Sequence, residues 1–205
     1  MKDAQEIANG LGCLPLALAH AAAYLKHNPA TSPKAYLSRI ERHLREAPRN
    51  AEYPNAVFAT FQEALTRAEE RTPGAAAIMC LAAFLAHDSD WVPLGMFEED
   101  RAVYPSELVP TLAGGKVGAS LQDAVMTLED ALSSLADLSL INLRLETRTL
   151  SRGQQNLHFS QHRLVRAACR DLCAKTHEGW SAAADAAFMA AFNSWSAQMM
   201  DGYPT

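Results

Sequence analysis

The chain has 205 residues, of which 49% are hydrophobic and 20% are charged, and its formal net charge is −5 at pH 7. Its 10 glycines, 10 prolines and 4 cysteines exclude a collagen-like chain, low-complexity disorder and a disulfide-rich scaffold. The net negative charge also argues against a generally basic nucleic-acid binder.

Membrane and secretory signals are absent from the sequence. No stretch reaches the roughly 18 consecutive apolar residues that a membrane span needs. The N-terminal sequence MKDAQE lacks the basic and then apolar layout of a secretory signal peptide. We therefore expect no membrane partner and a cytoplasmic location, where a reducing environment keeps the four cysteines as small buried thiols.

Three helices are predicted in the first fifty residues. The first covers Lys2–Asn9. Pro15 begins the second, because its ring presets helical backbone geometry and its missing N–H is not needed in the first turn. Ser32 caps the third helix and Pro33 occupies its first position. Residues 47–54 hold two prolines and little apolar content, so we interpret them as a linker.

The rest of the chain predicts more helices and one β-hairpin. The helices are placed at Asn55–Arg71, from Thr72 to Leu85, at 94–97, at 106–112, at Leu121–Leu138, at about 161–175 and at about 180–200. Apolar and polar residues alternate over 141–146, which is typical of a strand. Leu157–Phe159 is the return strand, and we expect Ser160 to cap the helix that follows.

These elements predict a mostly α fold. A small helical bundle is followed by a winged-helix unit with one β-hairpin wing, and then by a C-terminal helix. We expect a helical subdomain at 1–50, a winged-helix subdomain at 51–176 and a C-terminal helix at 177–205.

Two short segments carry a resemblance to a known family. Gly12–Leu18, with the sequence GCLPLAL, resembles the GLPLAL motif of NB-ARC ATPases, which belong to the STAND class of signalling NTPases. Gln161–Arg166, with the sequence QHRLVR, resembles the HRLV segment at the MHD motif of members whose sensors are tetratricopeptide repeats. Between them, Ala82–Leu94 and Ser139–Ile141 resemble parts of the winged-helix subdomain of that family.

The resemblance implies the helical and winged-helix portion of such an ATPase, without its P-loop core. That core needs the pattern GxxxxGK[ST], and Gly114-Gly115-Lys116 does not supply it, because Val117 follows the lysine. The implied chain has no catalytic residues and is not an enzyme by itself. It would contact ADP or ATP only together with an upstream P-loop domain. Its further partners would be a downstream repeat sensor domain of the same protein and, in a homo-oligomer, other copies of the protein.

His162 and Pro15 are the candidate nucleotide-binding residues. His162 is predicted in the first turn of a helix, where free N–H groups suit an anion and disfavour an imidazolium, so a neutral hydrogen-bond donor is expected. The resemblance implies that His162 contacts the β-phosphate of ADP, and that Pro15 packs near the adenine or the ribose. The alternatives are a histidine that packs between the wing and the helix, and an ordinary helix-starting proline.

Two other groups of residues suggest different chemistry. Cys169 and Cys173 lie four residues apart on one helical face, which allows zinc binding, but two buried thiols in the core are expected and no metal site is predicted. A basic face is also predicted on the same helix, formed by Arg163, Arg166, Arg170 and Lys175. It is either an ordinary solvated face or, in a winged-helix DNA-binding regulator, a face whose arginines contact phosphates.

We do not expect nucleic acid as a partner. In a DNA-reading winged helix the recognition helix precedes the wing, and here Leu121–Leu138 contains four acidic residues and no lysine or arginine. A further alternative is a protein-interaction module without nucleotide, which would use the apolar stripe of the C-terminal helix.

Overall fold

The structure is a computed structural model that describes residues 2–49, 51–72, 75–85, 91–93, 121–146 and 156–176. The helices over these residues are α1 (Lys2–Gly10), α2 (Pro15–His27), α3 (Pro33–Glu46), α4 (Asn55–Arg71), α5 (Ala75–Leu85), α6 (Leu121–Asp137) and α7 (Arg163–Thr176). The strands are β1 (Val92–Pro93), β2 (Ile141–Glu146) and β3 (Asn156–Gln161). The predicted fold class, mostly α with one β-hairpin, is confirmed.

Local sequence signals place the first helices. Pro33 occupies the first turn of α3, and the Ser32 hydroxyl accepts a hydrogen bond from the Ala35 N–H at 3.2 Å. Pro15 begins α2 as predicted. The turn between α1 and α2 places Gly12 and Cys13 at positive φ, where glycine fits without strain and cysteine carries a steric cost of about 1 kcal/mol.

The sheet has one strand more than the predicted hairpin. β2 and β3 pair antiparallel from Ile141 opposite Gln161 to Glu146 opposite Asn156. β1 pairs with the other edge of β3, which gives the strand order β1-β3-β2. A strand of two residues is too short to show an alternation of apolar and polar side chains, so only the tertiary pairing reveals it.

The start of α7 differs from the prediction. Ser160 pairs with Asn142 inside the sheet and does not cap the helix. The helix begins at Arg163, so the residue that precedes it is His162. Strand pairing continues two residues beyond the predicted end of the return strand. The capping position of α7 therefore moves from Ser160 to His162.

α4 is the central helix of the described part of the chain. It packs against α2, α3, α5, α6 and α7. Its buried apolar side chains include Val57, Phe61 and Leu65, and they join one continuous core that reaches from the N-terminal helices to the sheet. Burial of such side chains stabilises the fold by about 1.5–3 kcal/mol for each large residue.

The division into subdomains at residues 50 and 176 remains a prediction. The predicted short helices at 94–97 and 106–112, the loop at Gly114-Gly115-Lys116 and the C-terminal helix at 180–200 lie outside the described residues. Within the described ranges, none of the helices has both the length and the apolar character of a membrane span.

The expectation of four buried thiols is wrong. Cys80 on α5 and Cys173 on α7 form a disulfide between positions 93 residues apart. Cys13 is exposed, and Cys169 is a buried free thiol. The pairing was not predictable from spacing, because the packing of α5 on α7 brings the two positions together.

Candidate functional site

The candidate site comprises Pro15, at the start of α2, and His162, between β3 and α7. Pro15 and His162 are both exposed. Leu14, which precedes Pro15, makes no capping hydrogen bond through its side chain. The charge of His162 lowers the pKa of His20 on α2, so the helix of the first motif and the histidine of the second lie within electrostatic range of each other.

His162 caps α7. Its carbonyl oxygen accepts from the Arg166 N–H at 3.0 Å, and its Nδ1 accepts from the Leu164 N–H at 3.2 Å. Partial burial lowers the pKa of His162, and the neighbouring charge of Arg163 adds to this effect. Because Nδ1 accepts a hydrogen bond, the proton of the neutral ring is on Nε2. The exposed ring therefore offers an N–H donor next to a helix N-terminus, which is chemistry that suits an anion.

His20 is a site residue that the sequence reasoning missed. It is fully buried on α2, and its Nδ1 lies 3.2 Å from the hydroxyl of Thr60. That hydroxyl donates to the Ala56 carbonyl oxygen at 2.9 Å. A hydrogen bond between the His20 ring and the backbone of Ser139 raises the pKa of His20 and opposes part of the effect of burial. The available signal was one polar residue within the apolar run from Leu14 to Leu25.

The burial of His20 predicts a loss of stability in mild acid. Burial, followed by the charge of His162, lowers the pKa of His20 from 6.5 to about 4. The unfolded chain therefore takes up the proton first, and stability falls as the pH falls from 6.5 to 4, by about 3 kcal/mol in total. We expect His20→Gln to remove this part of the pH dependence of the free energy of unfolding, measured by urea denaturation.

The test compares the slopes of wild type and His20→Gln, because His162, whose pKa is also lowered, contributes to the slope of both. Glu63, described below, titrates in the folded chain at about pH 2. Its contribution is therefore present above pH 4.5 and adds little slope between pH 5 and 6.5. An unchanged slope in His20→Gln over that range would contradict the assignment.

The basic face predicted on α7 is interrupted by Arg166, which is buried. Arg163 and Arg170 are exposed, and the Arg170 Nε donates to the Ala83 carbonyl oxygen at 2.7 Å. The side chain of Lys175 lies outside the described part of the chain. The helix before the wing, α6, exposes Glu129 and Asp130, whose charges would repel a phosphate backbone.

A second polar cluster joins α2, α3 and α4. The buried carboxylate of Glu63 accepts from the Arg39 Nη1 at 3.0 Å and from the His43 Nε2 at 3.0 Å. The same Arg39 nitrogen donates to the Tyr24 hydroxyl at 3.1 Å. Burial alone raises the pKa of Glu63, but the hydrogen bonds from His43, Arg39 and Tyr24 outweigh it and lower the pKa to about 2.

The Glu63 cluster stabilises helix packing and does not have the chemistry of a catalytic site. Glu63, Arg39 and His43 line a polar cavity of about 290 Å³. A carboxylate with a pKa of about 2 stays ionised and is a poor general acid or base near neutral pH. Its hydrogen bonds instead hold α3 against α4.

Comparisons with known proteins add nothing to this geometry. No protein-family model matches the chain, and neither the curated proteins nor the solved structures include a significant match.

Proposed function

We propose that this chain is the regulatory, nucleotide-sensing segment of a STAND/NB-ARC signal-transduction ATPase. In this proposal it contacts ADP only together with an upstream P-loop domain, and it acts as a conformational switch in the cytoplasm. The chain itself is not an enzyme, because the phosphate-binding core is supplied by that upstream domain. A repeat sensor downstream and other copies of the protein are its further partners.

One observation carries the proposal. His162 is exposed at the N-terminus of α7 with Nδ1 occupied as an acceptor, which leaves Nε2–H to donate. A neutral imidazole in this position forms a charge-assisted hydrogen bond to a phosphate oxygen without adding a cation to the end of a helix. The ADP β-phosphate is the phosphate that the motif resemblance implies.

The exposure of Pro15 supports the same arrangement. Pro15 and His162 are both exposed, so neither is closed off from a nucleotide held by a second domain. The Pro15 ring would pack against the adenine or the ribose, and His162 would bind the phosphate. Replacement of ADP by ATP would release the winged-helix unit, which would rotate and expose surfaces for oligomerisation.

Substitution of His162 tests this role in the full-length gene product. We expect His162→Ala to weaken ADP binding by roughly 10-fold to 100-fold, because a hydrogen bond to a charged group contributes about 1.5–3 kcal/mol. We also expect higher signalling output, because ADP holds the inactive arrangement. ADP affinity is measured by isothermal titration calorimetry on the nucleotide-free protein.

A matched variant separates nucleotide contact from helix capping. Serine is a good N-cap residue but cannot reach as far as imidazole, so His162→Ser retains the cap of α7 and loses the phosphate contact. We expect both variants to bind ADP weakly and only His162→Ala to lose helix stability. Wild-type affinity for ADP in both variants would contradict the phosphate contact of His162. A wild-type protein that does not bind ADP would favour a protein-interaction module that does not use nucleotide.

A further inference from the structure

Three sulfur atoms meet between α5 and α7. The Sγ atoms of Cys80, Cys169 and Cys173 all lie within 4.8 Å of one another, and the three residues are buried. Cys80 and Cys173 form the disulfide, and the Cys169 Sγ lies 3.8 Å from the Cys80 Sγ. α7 provides two of the sulfurs from successive turns of one face, and α5 provides the third.

The shape of the cluster disfavours a thiol–disulfide relay. Exchange requires the attacking sulfur to approach along the axis of the disulfide, so that three sulfurs stand nearly in line. With 3.8 Å from Cys169 to Cys80, a line through a disulfide of about 2.05 Å would place Cys169 nearly 6 Å from Cys173. The observed limit of 4.8 Å makes the group a compact triangle instead.

A triangle of this size suits a thiophilic metal ion. Metal–sulfur bonds of about 2.3 Å place three ligands around an ion about 4 Å apart. The Cys80–Cys169 separation of 3.8 Å already has this value. Opening of the disulfide lets the Cys173 Sγ move away from the Cys80 Sγ and approach the same spacing. Thiolate ligands select soft d¹⁰ ions such as zinc(II) and copper(I).

The surroundings of the three sulfurs favour a metal-bound trithiolate over three thiolates without a metal ion. Burial raises the pKa of the Cys169 thiol to about 12, whereas the nearby guanidinium of Arg170 lowers it. The Cys169 thiol therefore stays protonated until an ion replaces the proton. Arg170 is held at the cluster, because its Nε donates to the Ala83 carbonyl oxygen at 2.7 Å, and its charge offsets part of the negative charge of a trithiolate complex.

We propose that Cys80, Cys169 and Cys173 form a trithiolate site for a thiophilic metal ion when the disulfide is reduced. A dithiol reductant supplies two electrons and two protons to the Cys80–Cys173 bond and itself becomes a disulfide. The ion then binds three sulfurs and releases three protons. The sequence did not predict this site, because only the fold brings Cys80 to Cys169 and Cys173.

The test uses the full chain. The protein is reduced with a dithiol, freed from reductant without oxygen, and titrated with Zn²⁺ or Cu⁺, each against a chelator of known affinity. We expect one ion for each chain, and X-ray absorption at the metal edge should count three sulfur neighbours at about 2.3 Å. A fourth light-atom neighbour distinguishes zinc from three-coordinate copper, and either ion supports the proposal.

Two variants sharpen the result. Cys169→Ser leaves the disulfide pair intact but removes one ligand, so we expect its metal affinity to fall by at least roughly 100-fold. Cys13→Ser is the matched control, because Cys13 is exposed and outside the cluster, and it should bind as wild type does. The proposal is overturned if neither ion binds, if the disulfide resists the dithiol, or if fewer than three sulfurs surround the ion. The wild-type absorption decides the outcome if Cys169→Ser does not fold.

Discussion

Reduction of the Cys80–Cys173 disulfide is expected to lower the free energy of unfolding by roughly 4–5 kcal/mol when metal ions are chelated. The bond joins positions 93 residues apart, and in the chain-entropy description a closed loop of that length restricts the unfolded chain strongly. It also ties α5 to α7, so its loss releases two helices that pack against each other in the core. For a chain of this size the melting temperature should fall by about 10 °C or more.

The measurement compares chemical denaturation of oxidised and reduced protein in the presence of a chelator. Cys173→Ser should match the reduced wild type, and Cys13→Ser should match the oxidised wild type because Cys13 is exposed and unpaired. A difference below about 1 kcal/mol between oxidised and reduced protein would show that the bond does not constrain the fold. Recovery of stability when Zn²⁺ or Cu⁺ is added to the reduced protein would agree with the trithiolate site.

Removal of the Glu63 carboxylate is the second change for which we expect a large loss of stability. We expect Glu63→Ala to lower the free energy of unfolding by about 3 kcal/mol, because it leaves the buried His43 and the partly buried Arg39 without their acceptor. Glu63→Gln keeps an acceptor and loses only the charge, so its effect should be about half as large. Glu41→Ala on the exposed side of α3 is the control, with an expected change within about 0.5 kcal/mol.

The dependence of the free energy of unfolding on pH is a second test of the Glu63 cluster. The pKa of Glu63 is lowered from 4.5 to about 2 in the folded chain, so its contribution is complete above pH 4.5 and is lost as the pH falls towards 2. Glu63→Gln should flatten the stability curve in that window. If urea denaturation gives parallel curves for Glu63→Gln and wild type below pH 4.5, the carboxylate does not hold the cluster.

Much of the fold could be predicted because its signals are local. The cap and proline at Ser32 and Pro33 define the start of α3, and the alternation over 141–146 defines β2. The predicted helix at Asn55–Arg71 has the observed bounds of α4. The short strand β1 escaped prediction because its only evidence is the pairing of Val92 with Phe159, which are far apart in the sequence.

The polar interior was less predictable than the helices. Glutamate, arginine and histidine usually lie on helix surfaces, and only the packing of α3 on α4 makes Glu63 a buried acceptor for Arg39 and His43. His162 was expected in the first turn of its helix, but it is the capping residue because strand pairing includes Ser160. Such contacts join residues about 20 positions apart or more, which spacing arguments do not reach.

Nucleotide bound to the full-length gene product tests the central claim most directly. The protein is purified without added nucleotide and denatured, and the released nucleotide is identified and counted by ion-exchange chromatography. The account predicts close to one ADP for each chain in the wild type and much less in His162→Ala. Protein that carries no nucleotide, and whose melting temperature ADP does not raise, would contradict the account.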